Sequence, residues 1–456
     1  MWVSHAERPL RIDELCHALA VELGPMNLDP ENICPQHTVL GSCLGLVVVD
    51  EETSIVRLIH HTLQEYLCLP GILPEAHKTL ALTCLVYLNY DQVKGLPADQ
   101  VPNLRDMPFL EYSSLYWGTH AKEELSVSAN LLALGLLSRF DNHISATLLF
   151  NRIWSYGSRP VAASLFPCLH CASYFGIVDI ITALIEVNGC DIDKRDSMGF
   201  TPLMWASRRG NEAVVRVLLA RSDVNPNKSD DEGRTPLAQA SLHGHEEVVR
   251  LLLARGDINP EQTGINGLSP LSWAAFGGHE GIVRLLLTKD NVNPDRPGDY
   301  GQTPLSRAAF GGHEGVVRLL LASGRVNPDR PDNYGQTPLS QASFGGHENV
   351  VRLLLARGDF NPCKPDNSGQ TPLSEASGNG HDGVVKLLLA EDDVEPDRQD
   401  NEGRTPLSRA ASCGNEGVVR LLLARDDVNP DKPDNQGRTP LQVASVHRRK
   451  GILARL

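Results

Sequence analysis

With 456 residues, 41% of them hydrophobic and 21% charged, the chain has the composition of an ordinary folded protein and enough length for a large buried core. Its net charge of −14 argues against nucleic acid and anionic membranes as direct partners, because both are bound through clustered Lys and Arg. The N-terminus lacks an apolar stretch of signal-peptide type, and the longest apolar runs are far shorter than the ~20 residues that span a bilayer.

Ten cysteines are scattered among apolar neighbours, and the regular C-terminal half contains only Cys363 and Cys413. This distribution favours free thiols in a reducing compartment over a disulfide framework. We therefore expect a cytoplasmic protein, with the nucleus as the alternative compartment.

The first 70 residues predict a small winged-helix-like domain. A helix is expected over Pro9–Ala20, with Ile12, Leu15 and Leu19 on one face. Residues 44–60 are predicted to form two apolar strands joined by a polar turn, and a helix follows through HTLQEYL. This combination of helices with a hairpin is typical of a winged helix.

Three more helices are predicted before the regular half of the chain, in EAHKTLALTCLVYL, PFLEYSSLYWGTHAKEEL and SANLLALGLLSRF. We expect three regions in all: a winged-helix-like domain over residues 1–70, a helical linker domain over 71–160 and a repeat domain over 165–456.

A repeat of 34 residues occupies the C-terminal region. Its units begin with Thr-Pro-Leu or Ser-Pro-Leu, at Thr201, Thr235, Ser269, Thr303, Thr337, Thr371, Thr405 and Thr439. One period earlier, Pro167 opens the related segment PCLHCASYFG. The chain therefore contains about nine units, and in the last one Arg448 replaces the turn glycine and the second helix is expected to stop at Leu456.

Each unit predicts two antiparallel helices. Thr303 is a favourable N-cap, Pro304 suits the first helical position, and Gly312 stands where a helix commonly ends in the left-handed conformation. The second helix begins with an acidic residue, which is stabilised by the positive end of the helix dipole. Its apolar stripe at helical spacing comprises Val316, Val317, Leu320 and Leu321.

The T-P-L triplet, the G-H turn and the LLL segment resemble the ankyrin repeat over about residues 165–456. Most units differ from that pattern by TPLS in place of TPLH and by one additional linker residue. The resemblance implies a solenoid whose turn tips and first helices line a concave, protein-binding surface. The predicted fold class is mainly α, with an N-terminal winged-helix-like and helical region followed by an ankyrin-repeat α-solenoid of about nine units.

A second resemblance covers the N-terminal region. The series RPLRIDEL, CLGLVVVDEETSIVRLIHHTLQEYL, TCLVYL and PFLEYSSLYWGTHA, followed by ankyrin-like repeats, is similar to the part of fungal NACHT–ankyrin proteins behind their nucleotide-binding module. Those proteins are NLR-like signal-transduction ATPases. The chain contains no GxxxxGK[ST] phosphate loop, so the ATPase module is not part of it. We expect a truncated relative or a partial gene model that starts near the winged helix.

The same resemblance implies that His60 contacts a bound nucleotide diphosphate. Without the phosphate loop there is no nucleotide for it to contact, so we predict a structural histidine at a strand-to-helix junction.

Other candidate chemical sites are weak. Cys168 and Cys171 form a single CxxC, which is half of a tetrahedral zinc site, and both occupy first-helix positions of a repeat. The HGHEE segment fails the HExxH spacing, and no GxSxG elbow occurs. We therefore predict no catalytic residue, no cofactor and no metal.

The linker DDVNPDKPDNQGRTPL is rich in oxygen ligands, as a calcium loop would be. Asp427, Asn429 and Asp431 match the first three ligand positions of such a loop. Lys432 and Arg438 then stand where the pattern requires Gly and Glu. The stretch is therefore predicted to be a turn-rich linker between units.

Two positions vary from unit to unit while the repeat frame stays constant. They lie just before the turn glycine and two residues before the glycine that ends the first helix. In the middle units they carry aromatic side chains, flanked by Trp, Arg or Gln. Aromatic residues and Arg are the usual anchors of interfaces. The predicted protein-binding residues are Asn266, Trp273, Phe276, Tyr300, Arg307, Phe310, Tyr334, Gln341 and Phe344.

The phenylalanines have a competing interpretation as core between adjacent repeats, whereas the tyrosines are expected at turn tips. The sequence thus predicts a non-enzymatic, protein-binding scaffold, resembling the sensor part of an NLR-like protein. The alternative is a nuclear transcriptional coregulator that acts through protein contacts of the repeats. A DNA-bound winged helix would need a basic face, which the N-terminal segment does not show.

Overall fold

The computed structural model describes residues 1–98, 103–122, 125–153, 166–186, 190–358 and 360–446. Within these ranges the chain is mainly helical, with one two-stranded sheet, which confirms the predicted fold class. The chain divides into two compact units, Met1–Asp231 and Glu232–Leu456.

The N-terminal part of the first unit contains the predicted hairpin. Its elements are α1 (Trp2–His5), α2 (Ile12–Leu19), α3 (Gln36–Ser42), β1 (Val47–Val49), β2 (Val56–Leu58) and α4 (His61–Leu67). The strands pair antiparallel with Val48 opposite Arg57. The connecting turn forms because the Asp50 carboxylate accepts the backbone N–H groups of Glu52 and Thr53.

Helix α2 differs in two respects from the expectation. It begins at Ile12 rather than Pro9, because the Glu14 carboxylate accepts the Arg11 backbone N–H at 2.8 Å and caps the helix there. Leu19 is 51% exposed instead of lying on the buried face with Ile12. Cys16 and Ala18 in the same last turn are buried, so Leu19 lies on the side of this turn that faces solvent.

The three helices predicted for the linker region are present. They correspond to α5 (Ala76–Leu88), α7 (Phe109–His120) and α8 (Val127–Leu137), and two shorter helices, α6 (Asp91–Lys94) and α9 (Ile144–Ile153), accompany them. Helix α5 packs against α7, and the fully buried rings of Tyr87 and Phe109 meet edge to face at 5.2 Å.

The repeats form the predicted helix pairs. The first unit holds α10 (Cys168–Phe175), α11 (Val178–Glu186), α12 (Pro202–Arg209) and α13 (Glu212–Leu219). The second unit holds α14 (Pro236–His243), α15 (Glu246–Leu253), α16 (Pro270–Gly277), α17 (Glu280–Leu287), α18 (Pro304–Phe310), α19 (Glu314–Ala322), α20 (Pro338–Gly345), α21 (Glu348–Leu355), α22 (Pro372–Asn379), α23 (Asp382–Leu389), α24 (Pro406–Cys413), α25 (Glu416–Leu423) and α26 (Pro440–Val446). The predicted Arg448 turn and the helix after it lie outside the described residues.

The local signals in each repeat act as expected. The Thr303 hydroxyl accepts the Ser306 backbone N–H at 3.2 Å and caps α18. Gly312 has a φ of 72°, a left-handed conformation that is strained for residues with a side chain. Val316, Val317 and Leu320 are completely buried. Burial of each of these side chains contributes about 1.5–3 kcal/mol to stability. In the second unit each first helix packs against the first helix of the next repeat, so neighbouring repeats cover one another.

Candidate binding surface

The turn tips of the second unit are fixed by backbone hydrogen bonds between neighbouring repeats. The Tyr300 carbonyl accepts the Asn333 N–H at 3.0 Å, and the Tyr334 carbonyl accepts the Asn367 N–H at 2.9 Å. The Asn367 side chain also donates to the Asn333 carbonyl at 2.9 Å. The main chain at each tip is therefore held in register, while the side chains of Tyr300 and Tyr334 remain 53% and 57% exposed.

The ends of the first helices are held in a similar way. The carbonyl oxygen of Phe276 lies 2.9 Å from Nε2 of His313 in the next repeat. His347 and His381 make the same contact with the carbonyls of Phe310 and Phe344, at 2.8 and 2.9 Å. The three phenylalanine rings are 41–44% exposed. In these three repeats the histidine just before the second helix therefore fixes the backbone beneath an exposed ring.

Neighbouring rings also contact each other. The rings of Phe310 and Phe344 stack with centroids 6.3 Å apart and planes 19° from parallel. The Arg307 guanidinium lies over the Phe276 ring, 5.6 Å from its centroid. These contacts join three successive repeats into one aromatic surface.

A pocket of about 410 Å³ opens within this surface. Its lining consists of Phe276, Gln302, Ser306, Arg307, Phe310, Tyr334, Gln336, Gln341 and Phe344. Six of these nine belong to the predicted set. The remaining predicted residues, Asn266, Trp273 and Tyr300, are not among the lining residues.

Three lining residues were missed by the sequence reasoning: Gln302, Ser306 and Gln336. Gln302 and Gln336 each precede the N-cap threonine, and Ser306 follows one by three positions. Ser306 stands at a nearly constant position of the repeat, whereas the position of Gln302 and Gln336 varies between units, as Arg234 and Leu268 show. Their spacing is the signal that could have found them, since Gln302 and Gln336 lie two residues after the variable tyrosines and Ser306 lies one residue before Arg307.

The polar lining is organised around two side chains. Gln341 is buried, and its amide donates to Oε1 of Gln336 at 2.6 Å and to Oδ2 of Asp332 at 3.3 Å. Arg307 is the only charged residue in the described lining. Burial lowers the pKa of its guanidinium from the usual value, although an arginine remains protonated at any physiological pH.

Two carboxylates of the linker that resembled a calcium loop pair with nearby arginines. The Asp427 carboxylate pairs with the Arg425 guanidinium at 2.8 Å, and the Asp434 carboxylate pairs with Arg438 at 2.7 Å. The Asp434 Oδ1 also accepts the Gln436 backbone N–H. These carboxylates therefore act as turn and ion-pair groups, in agreement with the linker interpretation.

The candidate zinc and nucleotide residues have structural roles here. Cys171 is completely buried, and burial raises the pKa of its thiol far above the usual value, which disfavours the thiolate that binds zinc. All ten cysteines are free thiols. His60 caps α4, its Nδ1 accepting the Thr62 N–H at 3.3 Å, as expected for a strand-to-helix junction.

One cluster that the sequence did not suggest could hold a metal ion. Glu7, His77 and His120 present ligand atoms within 4.8 Å of one another. The Nδ1 atoms of the two histidines are 2.9 Å apart, and the Tyr112 hydroxyl lies 2.9 Å from Nε2 of His120. Burial, with smaller effects of His77 and His5, lowers the pKa of His120 to about 4. No local motif marks this cluster, because its members come from three separate segments.

Comparison with protein families gives two matches. Residues 169–263, 255–332, 324–400 and 392–456 match the family described as ankyrin repeats (3 copies). Residues 1–75 match the family described as GPI inositol-deacylase, winged helix domain. A search of curated proteins found no match. In the described part of the chain, no helix is long and apolar enough to cross a membrane.

Proposed function

The chain belongs to the ankyrin repeat family, a protein-interaction fold, and we propose that it captures a partner protein through the aromatic pocket of its middle repeats. The observation that carries this proposal is that hydrogen bonds fix the backbone of the surface while its aromatic side chains remain exposed. Interrepeat bonds to the carbonyls of Tyr334, Phe310 and Phe344 hold the backbone, while the three rings stay exposed. Large rings on a rigid support lose little entropy on binding, which favours them as anchors.

The proposal extends to the face from which the pocket opens. Asn266, Trp273 and Tyr300 lie in the repeats that supply the lining or next to them, so they are proposed to contact the partner outside the pocket. The proposed binding surface thus comprises turn tips and first helices, which line the concave face in the ankyrin architecture.

We also propose that the chain is the recognition part of an NLR-like signalling protein in the cytoplasm. The winged-helix match over residues 1–75 supports this, since a winged helix before ankyrin repeats is the order found in the fungal NACHT–ankyrin proteins. In this arrangement residues 1–70 and 71–160 would be the winged-helix and linker domains, and 165–456 the sensor. The family matches provide no support for a nuclear coregulator.

The name of the N-terminal family refers to an enzyme, GPI inositol-deacylase, but the matched region is its winged helix domain. We propose that this domain has a structural or regulatory role here and that the chain acts without catalysis. The ankyrin fold, which accounts for most of the chain, is non-enzymatic.

Site-specific photo-crosslinking tests the binding surface. A photoreactive phenylalanine analogue would replace Phe344 in the pocket or Arg318 on the exposed side of a second helix, in the full chain. We expect a defined protein to crosslink from position 344 and not from position 318. Equal crosslinking from both positions, or none from position 344, would contradict the proposal.

A further inference from the structure

The surroundings of Arg307 can be compared with those of an arginine at the same position of another repeat. Arg409 occupies the same position three periods later, and it is ion-paired. Its Nη1 lies 3.7 Å from Oδ2 of Asp400, and its Nη2 lies 4.0 Å from Oε2 of Glu375. Asp400 belongs to the turn of the same repeat, and Glu375 is the equivalent of Arg409 in the preceding repeat. An arginine at this position thus has two carboxylate partners within the array.

Both partners are missing around Arg307. The position equivalent to Asp400 is Gly298, and the position equivalent to Glu375 is Trp273. Among the described residues, Arg307 forms no ion pair. Its guanidinium makes a cation–π contact with the face of the Phe276 ring. Nε of both arginines lacks a hydrogen-bond partner, so the difference between them is the pair of carboxylates.

A half-buried guanidinium without a counter-ion is costly, because desolvation is not offset by a partner. Arg307 cannot relieve this cost by losing its proton. Its charge therefore lacks a counter-ion in a pocket that is also lined by four exposed aromatic rings. A carboxylate that entered the pocket would restore the pairing that Asp400 and Glu375 supply to Arg409.

We propose that the pocket receives an acidic side chain of the partner protein, a glutamate or aspartate that pairs with Arg307, while apolar neighbours of that residue cover Phe310 and Phe344. This inference rests on the proposed function and specifies the chemistry of the bound segment. A carboxylate fits better than a phosphate group, because the described lining offers a single cation, whereas a phosphate dianion is usually held by several cationic groups.

The test uses the full chain and a displayed library of random twelve-residue peptides as the probe. Peptides selected on the wild type and depleted on a Phe310→Ala/Phe344→Ala chain are synthesised, each with a version in which its acidic residue is changed to the amide. We expect an acidic residue flanked by apolar residues in the selected peptides. Changing it to the amide should weaken binding about tenfold or more.

Two variants remove the pairing in different ways. Arg307→Gln removes the cation but keeps a residue type that the array uses at this position, in Gln341. Trp273→Glu keeps Arg307 and places an internal carboxylate where Glu375 stands relative to Arg409. In both variants the acidic and amide peptides should bind with nearly equal affinity. Arg409→Gln is the matched control, and it should retain the wild-type preference for the acidic peptide.

The outcomes separate the two proposals. Pocket-dependent peptides without an acidic preference, or a preference that survives Arg307→Gln, would overturn the carboxylate inference and leave the proposed function intact. Failure to select any pocket-dependent peptide would count against both. A phosphoserine peptide that binds more tightly than the glutamate peptide, in an Arg307-dependent manner, would overturn the carboxylate in favour of phosphate.

Discussion

His347 and Phe310 are joined across a repeat boundary, with Nε2 of the histidine 2.8 Å from the carbonyl oxygen of the phenylalanine. The bond fixes the end of one first helix to the start of the next second helix. It therefore couples the stacking of two repeats to the position of an exposed pocket residue.

His347→Ala should lower the stability of the second unit by about 1 kcal/mol, because the carbonyl loses a directed donor. His347→Asn should restore most of this loss. Asn415 occupies the equivalent position elsewhere, and its side-chain amide donates to the Ser377 and Gly378 carbonyls at 2.9 and 2.8 Å. Chemical denaturation of the three proteins measures the difference. Equal stability of the Ala and Asn variants would show that the bond contributes nothing.

Gly312→Val should destabilise the array by about 2 kcal/mol or more. Its φ of 72° is unfavourable for a β-branched residue, and an added Cβ would overlap the His347 ring. Gly324→Val is the control, since Gly324 has a similar φ of 66° with nothing within 4 Å of an added Cβ. If Gly312→Val lowers the melting temperature more than Gly324→Val does, the difference measures the cost of the overlap with His347. If the two variants melt together, backbone strain accounts for the whole effect.

Tyr334→Ala should weaken capture of the partner about tenfold while the melting temperature stays within a few degrees, because the side chain is exposed. Tyr300→Ala should have a smaller effect, since Tyr300 lies outside the pocket lining. The double variant should be the weakest of the three. Binding affinity and thermal melting of each variant separate the two roles, and loss of folding would identify the tyrosines as structural.

The first unit should become less stable as the pH falls from 7 to 5. Burial lowers the pKa of both His120 and His143 to about 4 and that of His170 to about 3. Between these values and the ordinary value of 6.5, the unfolded chain binds protons that the folded chain excludes, so unfolding is favoured as the pH drops. Each histidine should contribute about 1 kcal/mol or more over this interval.

The measurement is urea unfolding of the full chain at pH 7 and pH 5. His143→Asn should reduce the pH dependence, whatever its effect on stability at pH 7. A pH dependence that is the same in wild type and His143→Asn would contradict the assignment.

The helix pairs could be predicted because their signals are local. A threonine N-cap, a proline at the first helical position and a left-handed glycine act within a few residues, and the 34-residue period repeats them. The exposure of Leu19 could not be predicted in the same way. Its spacing is that of a buried residue, and only the absence of a covering neighbour, a tertiary property, leaves it in solvent.

The sequence by itself determined the order of the elements, the repeat frame and the positions that vary within it. The tertiary structure decided which of those residues share a pocket, since Phe276, Arg307 and Tyr334 come from three repeats that meet only through interrepeat packing and hydrogen bonds. It also determined that Arg307 has no ion-pair partner among the described residues. Ion pairing depends on distance in space. Only the structure shows that Asp400 and Glu375 lie beside Arg409, and therefore that Gly298 and Trp273 leave the equivalent Arg307 without carboxylate partners.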